Sequence, residues 1–200
     1  FLKANLEEHV ILDLNLNFKK IQGEDLNNLC KGLLRCANVQ TLMISLYSCM
    51  LSNQDLSALA NSFFNMVDLK QLKLSLGVNN IGQQGVHDLG KVLVRCLKLQ
   101  SVQLYLYSNQ IRNEGSYLLM NQLAQCQNLS ILIIEFNNNS IEDEGILNIA
   151  QQLKRFITLT NLEIYLSENF LEQVRKQYFD TILRKLNKLV QFKIQLESDE

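Results

Sequence analysis

The chain has 200 residues, of which 47% are apolar and 20% are charged, and its formal net charge is −1. A balance this close to neutral is that of an ordinary globular protein and argues against nucleic-acid binding as the main role. No apolar run approaches the roughly 20 residues that a membrane-spanning helix needs, so we expect neither a nucleic acid nor a membrane as partner.

The cysteines and the first residue bear on the compartment and on the chain ends. Five cysteines are an odd number, and no two of them form a Cys-x-x-Cys pair. This usage argues against a disulfide framework or a zinc site and favours a reducing, cytoplasmic environment. Because the chain begins with Phe1 and shows no signal-peptide pattern, we interpret it as a fragment truncated at its amino terminus.

Seven strand-like segments follow a helix remnant around Leu6, at a constant spacing of 30 residues. Each segment places an apolar residue at every second position, which is typical of a strand with one buried face. Self-similarity at a fixed period of this size indicates a solenoid of stacked repeats. The first apolar column consists of Leu12, Leu42, Leu72, Val102, Leu132, Leu162 and Phe192.

A turn and a helix follow each predicted strand. In the turn an asparagine recurs, and six residues later a glycine recurs in three repeats. We expect the asparagine amides to bond backbone groups where the strand ladder stops. The glycines are expected to permit either positive φ or close approach of the chain at the helix entry. The two columns are Asn79, Asn109, Asn139 and Asn169, and Gly85, Gly115 and Gly145.

The resulting consensus, LxxLxLxLxxNxIxxxGxxxLxxxLxxCxxL, resembles the leucine-rich repeat, and specifically its ribonuclease-inhibitor-like subclass. The resemblance covers nearly the whole chain, with 30 residues per repeat instead of the family's usual length of about 28 or 29. It implies an α/β leucine-rich repeat solenoid with a curved parallel β-sheet on the concave side and helices on the convex side. We expect residues 1–200 to form one such domain of about six full repeats plus a partial one.

The sequence contains no catalytic or metal-binding pattern. The column of Cys96 and Cys126 is occupied by Met66 in another repeat, which indicates core packing instead of thiol chemistry. His9 and His87 have no acidic or cysteine partner at catalytic or ligand spacing. GxSxG, P-loop, HExxH and GxGxxG patterns are absent. We therefore expect no enzyme activity, no cofactor, no metal and no small-molecule substrate.

Charged residues segregate along each predicted helix. Acidic residues such as Glu24 and Asp55 lie near the starts, as the helix macrodipole favours. A basic binding stripe on the convex face is the alternative interpretation of the residues near the helix ends. The last repeat has Arg175 in place of the glycine and is more charged, which fits a natural solenoid end. The basic column near the helix ends is Arg35, Arg95, Arg155 and Lys185.

The candidate site lies between the buried columns, on residues that the strand alternation sends to the concave side. Four of the six tyrosines lie there, and these columns vary from repeat to repeat, as a surface chosen for one partner would. Tyrosine is favoured at binding surfaces because it combines large area, a hydroxyl and few rotamers. The alternative is that tyrosine favours strands and stacks on its neighbours across the sheet. The predicted partner-binding residues are Tyr47, Lys73, Tyr105, Tyr107, Glu135, Glu163 and Tyr165.

These patterns predict a non-enzymatic scaffold that holds a protein partner on its concave face. Asparagine and glutamine together make up about a fifth of the chain, which resembles proteins from AT-rich genomes such as those of ciliates. A ciliary or axonemal location is the alternative to a cytoplasmic one. Similar repeats are joined to a protein kinase domain in some long ciliate-type proteins, and relatives of the subclass include GTPase-activating proteins. The alternative functions are therefore the partner-recognition arm of a larger protein kinase and a regulator of a small GTPase.

Overall fold

The computed structural model describes residues 10–170, 184, 186 and 188–196. Over these residues the chain forms seven five-residue strands, which build one parallel sheet in chain order. Each strand pairs with the next at an offset of 30 residues, from Leu12 opposite Leu42 to Leu162 opposite Phe192. The predicted strands and their register are therefore confirmed. The strands are β1 (Ile11–Asn15), β2 (Thr41–Ser45), β3 (Gln71–Ser75), β4 (Ser101–Tyr105), β5 (Ile131–Glu135), β6 (Asn161–Tyr165) and β7 (Gln191–Gln195).

One helix follows each of the first five strands, so that one strand and one helix make up a coil of the solenoid. Each helix buries an apolar stripe, which in the third helix includes Val86, Leu89 and Leu93. Acidic residues occupy the first turn of four of these five helices, as the macrodipole predicts. The helices are α1 (Glu24–Leu34), α2 (Asn53–Asn61), α3 (Gln83–Leu93), α4 (Arg112–Leu123) and α5 (Asp143–Leu153).

The core lies between the sheet and the helices. The apolar strand columns and the helix stripes form one continuous cluster, in which Leu42 and Leu132 are fully buried. Cys96 and Cys126 belong to this cluster, and burial raises the pKa of their thiols to about 11 and about 12. Core packing of the cysteine column is therefore confirmed. Phe192 is the exception to the inward column, since it is 52% exposed on β7, which among the described strands pairs only with β6.

The recurring asparagine closes the turn after each of the strands β3 to β6. The side-chain amide of Asn139 donates to the carbonyl oxygens of Leu106, Phe136 and Asn137 at 2.9–3.1 Å. Its oxygen accepts the amide of Ile111 from the preceding coil at 3.3 Å. One buried side chain thus satisfies backbone groups of two coils, which confirms the predicted asparagine ladder.

The recurring glycine is needed for close approach between coils. A Cβ at position 115 would stand 2.9 Å from the Cα of Gln83 and 2.8 Å from a methyl group of Ile111. Of the glycines in the described residues, only Gly23 has positive φ. Of the two roles expected for this column, close packing is therefore the correct one, and positive φ is wrong.

A residue with left-handed backbone recurs in the turn after each of the first six strands. It lies one position before the asparagine column. These six residues have φ between 51° and 59° and follow the strand without interrupting its hydrogen-bond ladder. The chain thereby leaves the sheet at the same place in every coil. They are Phe18, Ser48, Val78, Ser108, Asn138 and Glu168.

Some expectations concern residues outside the described ranges. The helix remnant at Leu6, the interpretation of His9 and the charged final coil around Arg175 and Lys185 are among them. Within the described ranges, no helix is long and apolar enough to cross a membrane.

Candidate functional site

The concave face is the face of the sheet turned away from the helices. Leu104 is fully buried on the core side, whereas the next residue, Tyr105, is half-buried on the concave side. The ladder continues beyond the strands, because the amide of Val78 donates to the carbonyl of Tyr107 at 2.9 Å. Tyr107 therefore lies on the same face as Tyr105, as the alternation predicts.

Tyr47 and Tyr107 stack on this face although they belong to coils that are not adjacent. Their ring centroids are 5.7 Å apart, with the planes inclined by 30°. Gly77 occupies the same position in the intervening coil, and its missing side chain leaves the space that the Tyr107 ring fills. Burial and the neighbouring Tyr47 hydroxyl raise the pKa of Tyr107 to about 12.

Phe18 extends this stack at the amino-terminal side. Its ring meets Tyr47 edge-on, with the centroids 5.0 Å apart and the planes at 86°. Edge-to-face geometry is favourable because the positive ring edge faces the negative ring face. Phe18 is 74% exposed, so it offers its remaining surface to solvent. Its left-handed φ of 59° turns the side chain onto the concave face beside Tyr47.

Tyr105 lies beside the stack and is contacted by a cation. The ammonium nitrogen of Lys73 stands 5.4 Å from the centre of the Tyr105 ring. The tyrosine hydroxyl donates a long hydrogen bond of 3.4 Å to the side-chain oxygen of Gln103. Burial raises the pKa of Tyr105, and the carboxylates of Glu163 and Glu135 raise it further.

These side chains line an open cleft of about 520 Å³ on the concave face. Aromatic rings contribute the apolar surface, and two serine hydroxyls with one asparagine and one lysine contribute the polar groups. We call it the aromatic cleft; its residues are Asn17, Phe18, Ser45, Tyr47, Lys73, Ser75, Gly77, Tyr105 and Tyr107.

A second group of predicted residues lies on the next two strands. Glu135 pairs with Tyr105 on one side and with Tyr165 on the other. The Tyr165 hydroxyl donates to Glu163 at 2.7 Å, and Lys193 stands 5.0 Å from the centre of its ring. We call Glu135, Glu163 and Tyr165 the acidic cluster.

The electrostatics of the acidic cluster follow from its half-buried position. Burial raises the pKa of Glu135, although the amide of Asn137 donates to its carboxylate at 3.2 Å. The bond to Glu163 is the largest influence on Tyr165 and raises the pKa of that phenol to about 12, with burial adding to it. A phenol that donates to a carboxylate gives up its proton reluctantly, since ionisation would place two negative charges together.

The structure thus brings four predicted residues, Tyr47, Lys73, Tyr105 and Tyr107, into one cleft and places the other three beside it. Sequence reasoning missed Phe18 and Gly77. Phe18 was the only aromatic residue in its column, directly after a strand, and this was the available signal. In the described residues, no group of three histidines, cysteines or carboxylates could hold a metal ion.

Several solved structures are similar to this fold. The actin-binding site 2 domain of leiomodin-1 has a TM-score of 0.61 at 15% identity, over 84% of this chain and 90% of that one. Internalin C2 of Listeria monocytogenes has a TM-score of 0.44 at 15% identity, over 95% of this chain and 82% of that one. A leucine-rich repeat protein of Leptospira interrogans has a TM-score of 0.32 at 14% identity, over 84% and 57% of the two chains.

No protein-family model matches the chain, and no curated protein sequence does. The parallel sheet, the helix after each of the first five strands and the similarity to the leiomodin-1 domain show the fold. It is an α/β leucine-rich repeat solenoid, as the repeat predicts.

Proposed function

We propose that the chain is a non-enzymatic interaction module that holds a protein partner on its concave face. The observation that carries the proposal is the aromatic cleft, where three tyrosines and Phe18 surround about 520 Å³ of open space. Tyrosines in such a setting contribute large contact area at little entropic cost. Their rings are already held by neighbours, so binding would order little that is not ordered beforehand.

The cleft suits an apolar anchor side chain from the partner. Its aromatic surface is half-buried, and Tyr47 and Tyr107 support each other at 5.7 Å. Ser75 offers a hydroxyl to the backbone of the bound segment, and the Ser45 hydroxyl, which donates to the side-chain oxygen of Asn17 at 2.7 Å, can accept from it. An anchor with one or two polar backbone contacts is the usual composition of a small protein-binding hot spot.

The acidic cluster suits a basic group that follows the anchor in the partner. Glu135 and Glu163 lie on neighbouring strands, one and two coils beyond Tyr105. Glu163 already accepts the Tyr165 hydroxyl, so its position is fixed before binding. Placement of opposite charges in this way favours one orientation of the bound segment.

Further support comes from the neighbours and from the helices. The leiomodin-1 domain of similar fold is itself an actin-binding site, which is consistent with a protein partner here. Helices of 9 to 12 residues in the described coils support the ribonuclease-inhibitor-like subclass. In the part of the chain that the structure describes, no observation favours a kinase arm or a small-GTPase regulator over a scaffold.

The proposal can be tested by affinity capture from the source cells with identification by mass spectrometry. The wild-type chain is compared with the double variant Tyr105→Ala, Tyr165→Ala. The matched control is Tyr117→Ala, which removes a half-buried tyrosine from helix α4 on the opposite side of the core. We expect a partner that the wild type and the control capture and the double variant loses.

A charge-reversal variant tests the same surface without removing a tyrosine, so it serves as a second test if the double variant is misfolded. Glu163→Lys leaves every tyrosine in place and should also weaken capture, because it repels the basic group. Urea unfolding of all four proteins shows whether the fold is intact. Capture of the same partner by both concave variants, when they are folded, would overturn the proposed function.

A further inference from the structure

The connection from each helix to the next strand begins with the same tight turn in the five described coils, and a second turn follows it in the first four. In the third coil the amides of Cys96 and Leu99 close two tight turns, with bonds of 3.0 Å to the carbonyls of Leu93 and Cys96. Both residues are buried. The two residues between these anchors, Leu97 and Lys98, have no room inside and are turned out to solvent.

Aliphatic residues occupy the first of these outward positions in three coils. Leu97 is 76% exposed, Ile157 is 75% exposed and Val67 is 63% exposed. Burying side chains of this size normally stabilises a protein, so their exposure in one row indicates a surface that is covered when the protein works. The basic edge is our name for the carboxyl ends of the five helices together with the connections that follow them. It comprises residues 31–40, 61–70, 91–100, 121–130 and 151–160.

The basic edge carries a strong excess of positive charge. It contains eight lysines and arginines and one acidic residue, Asp68, in a chain whose net charge is −1; Asp88, which lies one helical turn before this edge, pairs with Lys91 at 3.3 Å. Asp68 is paired with Lys98, which lowers the pKa of its carboxyl. Five helix carboxyl ends at about half a negative charge each would offset less than half of this excess. The basic residues are Lys31, Arg35, Lys70, Lys91, Arg95, Lys98, Lys154 and Arg155.

The opposite edge, where the strands end and the helices begin, has the opposite sign. In residues 16–25, 46–55, 76–85, 106–115, 136–145 and 166–170 there are eight acidic residues against Lys19, Lys20 and Arg112. The molecule is therefore electrically polar from one edge to the other. A charged surface would orient such a molecule before contact.

We propose that the basic edge docks on the surface of an anionic lipid bilayer, with Val67, Leu97 and Ile157 entering its interfacial layer. Lysine and arginine side chains close to an anionic membrane surface are attracted to its negative potential. Single aliphatic side chains that protrude between basic residues are the other half of a peripheral membrane contact. The expectation of no membrane partner rested on the lack of a spanning segment, and a peripheral contact needs none.

Other polyanions fit these observations less well. The basic residues could bind the phosphate groups of a nucleic acid, but the exposed aliphatic residues would make no contact in such a complex. A cleft of about 570 Å³ opens beside Leu97, and an acidic protein segment with an apolar anchor is the other occupant of this edge. Such a segment would fill one cleft, whereas the exposed aliphatic residues lie in coils two, three and five, with Gln127 at this position in coil four.

The test is co-sedimentation with vesicles of phosphatidylcholine alone and of phosphatidylcholine with about 30 mol% phosphatidylserine. We expect the wild-type chain to sediment with the anionic vesicles only, and less so as salt is raised towards about 1 M. The apolar variant is Leu97→Ser, Ile157→Ser, which leaves the net charge unchanged, and its matched control is Met50→Ser, Phe170→Ser, two exposed apolar residues of the opposite edge. The bound fraction should fall at least about tenfold in the variant and stay unchanged in the control.

A charge pair separates the electrostatic part from the apolar part. Lys31→Glu, Lys154→Glu changes the basic edge, and Lys19→Glu, Lys20→Glu makes the same change of net charge on the opposite edge. Only the first pair should reduce sedimentation. Because all these residues are exposed, urea unfolding should show the same midpoint within error for every variant.

Three results would overturn the proposal. One is a wild-type chain that does not sediment with anionic vesicles beyond its level with phosphatidylcholine. Another is undiminished binding by the apolar variant, which would mean that no side chain enters the bilayer. The third is binding to a DNA duplex without binding to vesicles, which would show a general polyanion surface.

Discussion

The ring of Tyr107 lies over Gly77, so close that a Cβ at position 77 would stand 2.5 Å from the Cε1 atom of the ring. A side chain at position 77 could not stay at this distance from the ring. The backbone φ of Gly77 is not positive, so the close contact with the ring is what requires glycine here. The stack of Tyr47 on Tyr107 therefore depends on the absence of a side chain in the coil between them. The aromatic cleft has this glycine in its lining.

Gly77→Ala should displace the Tyr107 ring and open the aromatic cleft on one side. The atoms that the new methyl meets are the far end of a flexible side chain, so the ring can swing away. Since alanine also restricts the unfolded chain, we expect the free energy of unfolding to change by less than about 1 kcal/mol. The cross-relaxation between the Tyr47 and Tyr107 ring protons in an NMR spectrum should disappear. In Ser75→Ala, which changes the residue two positions before Gly77 on the same face, it should persist.

Leu104→Ala should be strongly destabilising, whereas Gln103→Ala on the same strand should not. Leu104 is fully buried in the core, and its removal leaves a cavity that costs about 2–5 kcal/mol. Gln103 points to the concave face and is half-buried. Urea unfolding monitored by circular dichroism measures both. Equal midpoints for the two variants would mean that the strand faces are assigned the wrong way round.

The sequence alone predicts the sheet and its register, because buried columns of period two repeat every 30 residues. One register keeps Leu42, Leu72 and Val102 in line, and a slip by one residue would turn every column to the other face. The same reasoning places Tyr105 on the concave face. These predictions need only the pattern of each strand and its nearest neighbour.

The contacts within the candidate site could not be predicted in this way. The contact of Tyr47 with Tyr107 depends on the empty space above Gly77. It joins two coils that are not adjacent, and the pattern within one strand does not show such a contact. Phe18 reaches the stack because its own backbone is left-handed, and the apolar periodicity of the sequence does not reveal a left-handed φ. Phe192 follows the apolar pattern and is nevertheless 52% exposed, because β7 pairs only with β6 among the described strands, and the apolar pattern of one strand does not show how many neighbours that strand has.

Asn139→Ala should cost about 2–4 kcal/mol of unfolding free energy. The side chain is fully buried, and its loss leaves the carbonyl oxygens of Leu106 and Phe136 and the amide of Ile111 without this partner. The matched control is Asn128→Ala, which removes one exposed bond to the carbonyl of Leu97. The control should stay within about 0.5 kcal/mol of the wild type. Chemical denaturation gives both values, and similar losses would contradict a structural role for the ladder.

The concave tyrosines should make the fold sensitive to alkali above pH 10. The pKa of both Tyr107 and Tyr165 is raised from 10.0 to about 12 in the folded chain. Between pH 10 and 12 the unfolded chain has lost protons that the folded chain keeps. The stabilisation from these two groups is therefore fully present below pH 10 and is lost as pH rises towards 12.

Tyr165→Phe removes one of these groups and should make the decline in stability shallower. Tyr117→Phe, on helix α4, serves as the control for the loss of one tyrosine. Urea midpoints at a series of pH values, together with the ultraviolet absorbance of the phenolate, measure the effect. An equally steep decline in Tyr165→Phe would show that its hydrogen bond to Glu163 does not hold the proton.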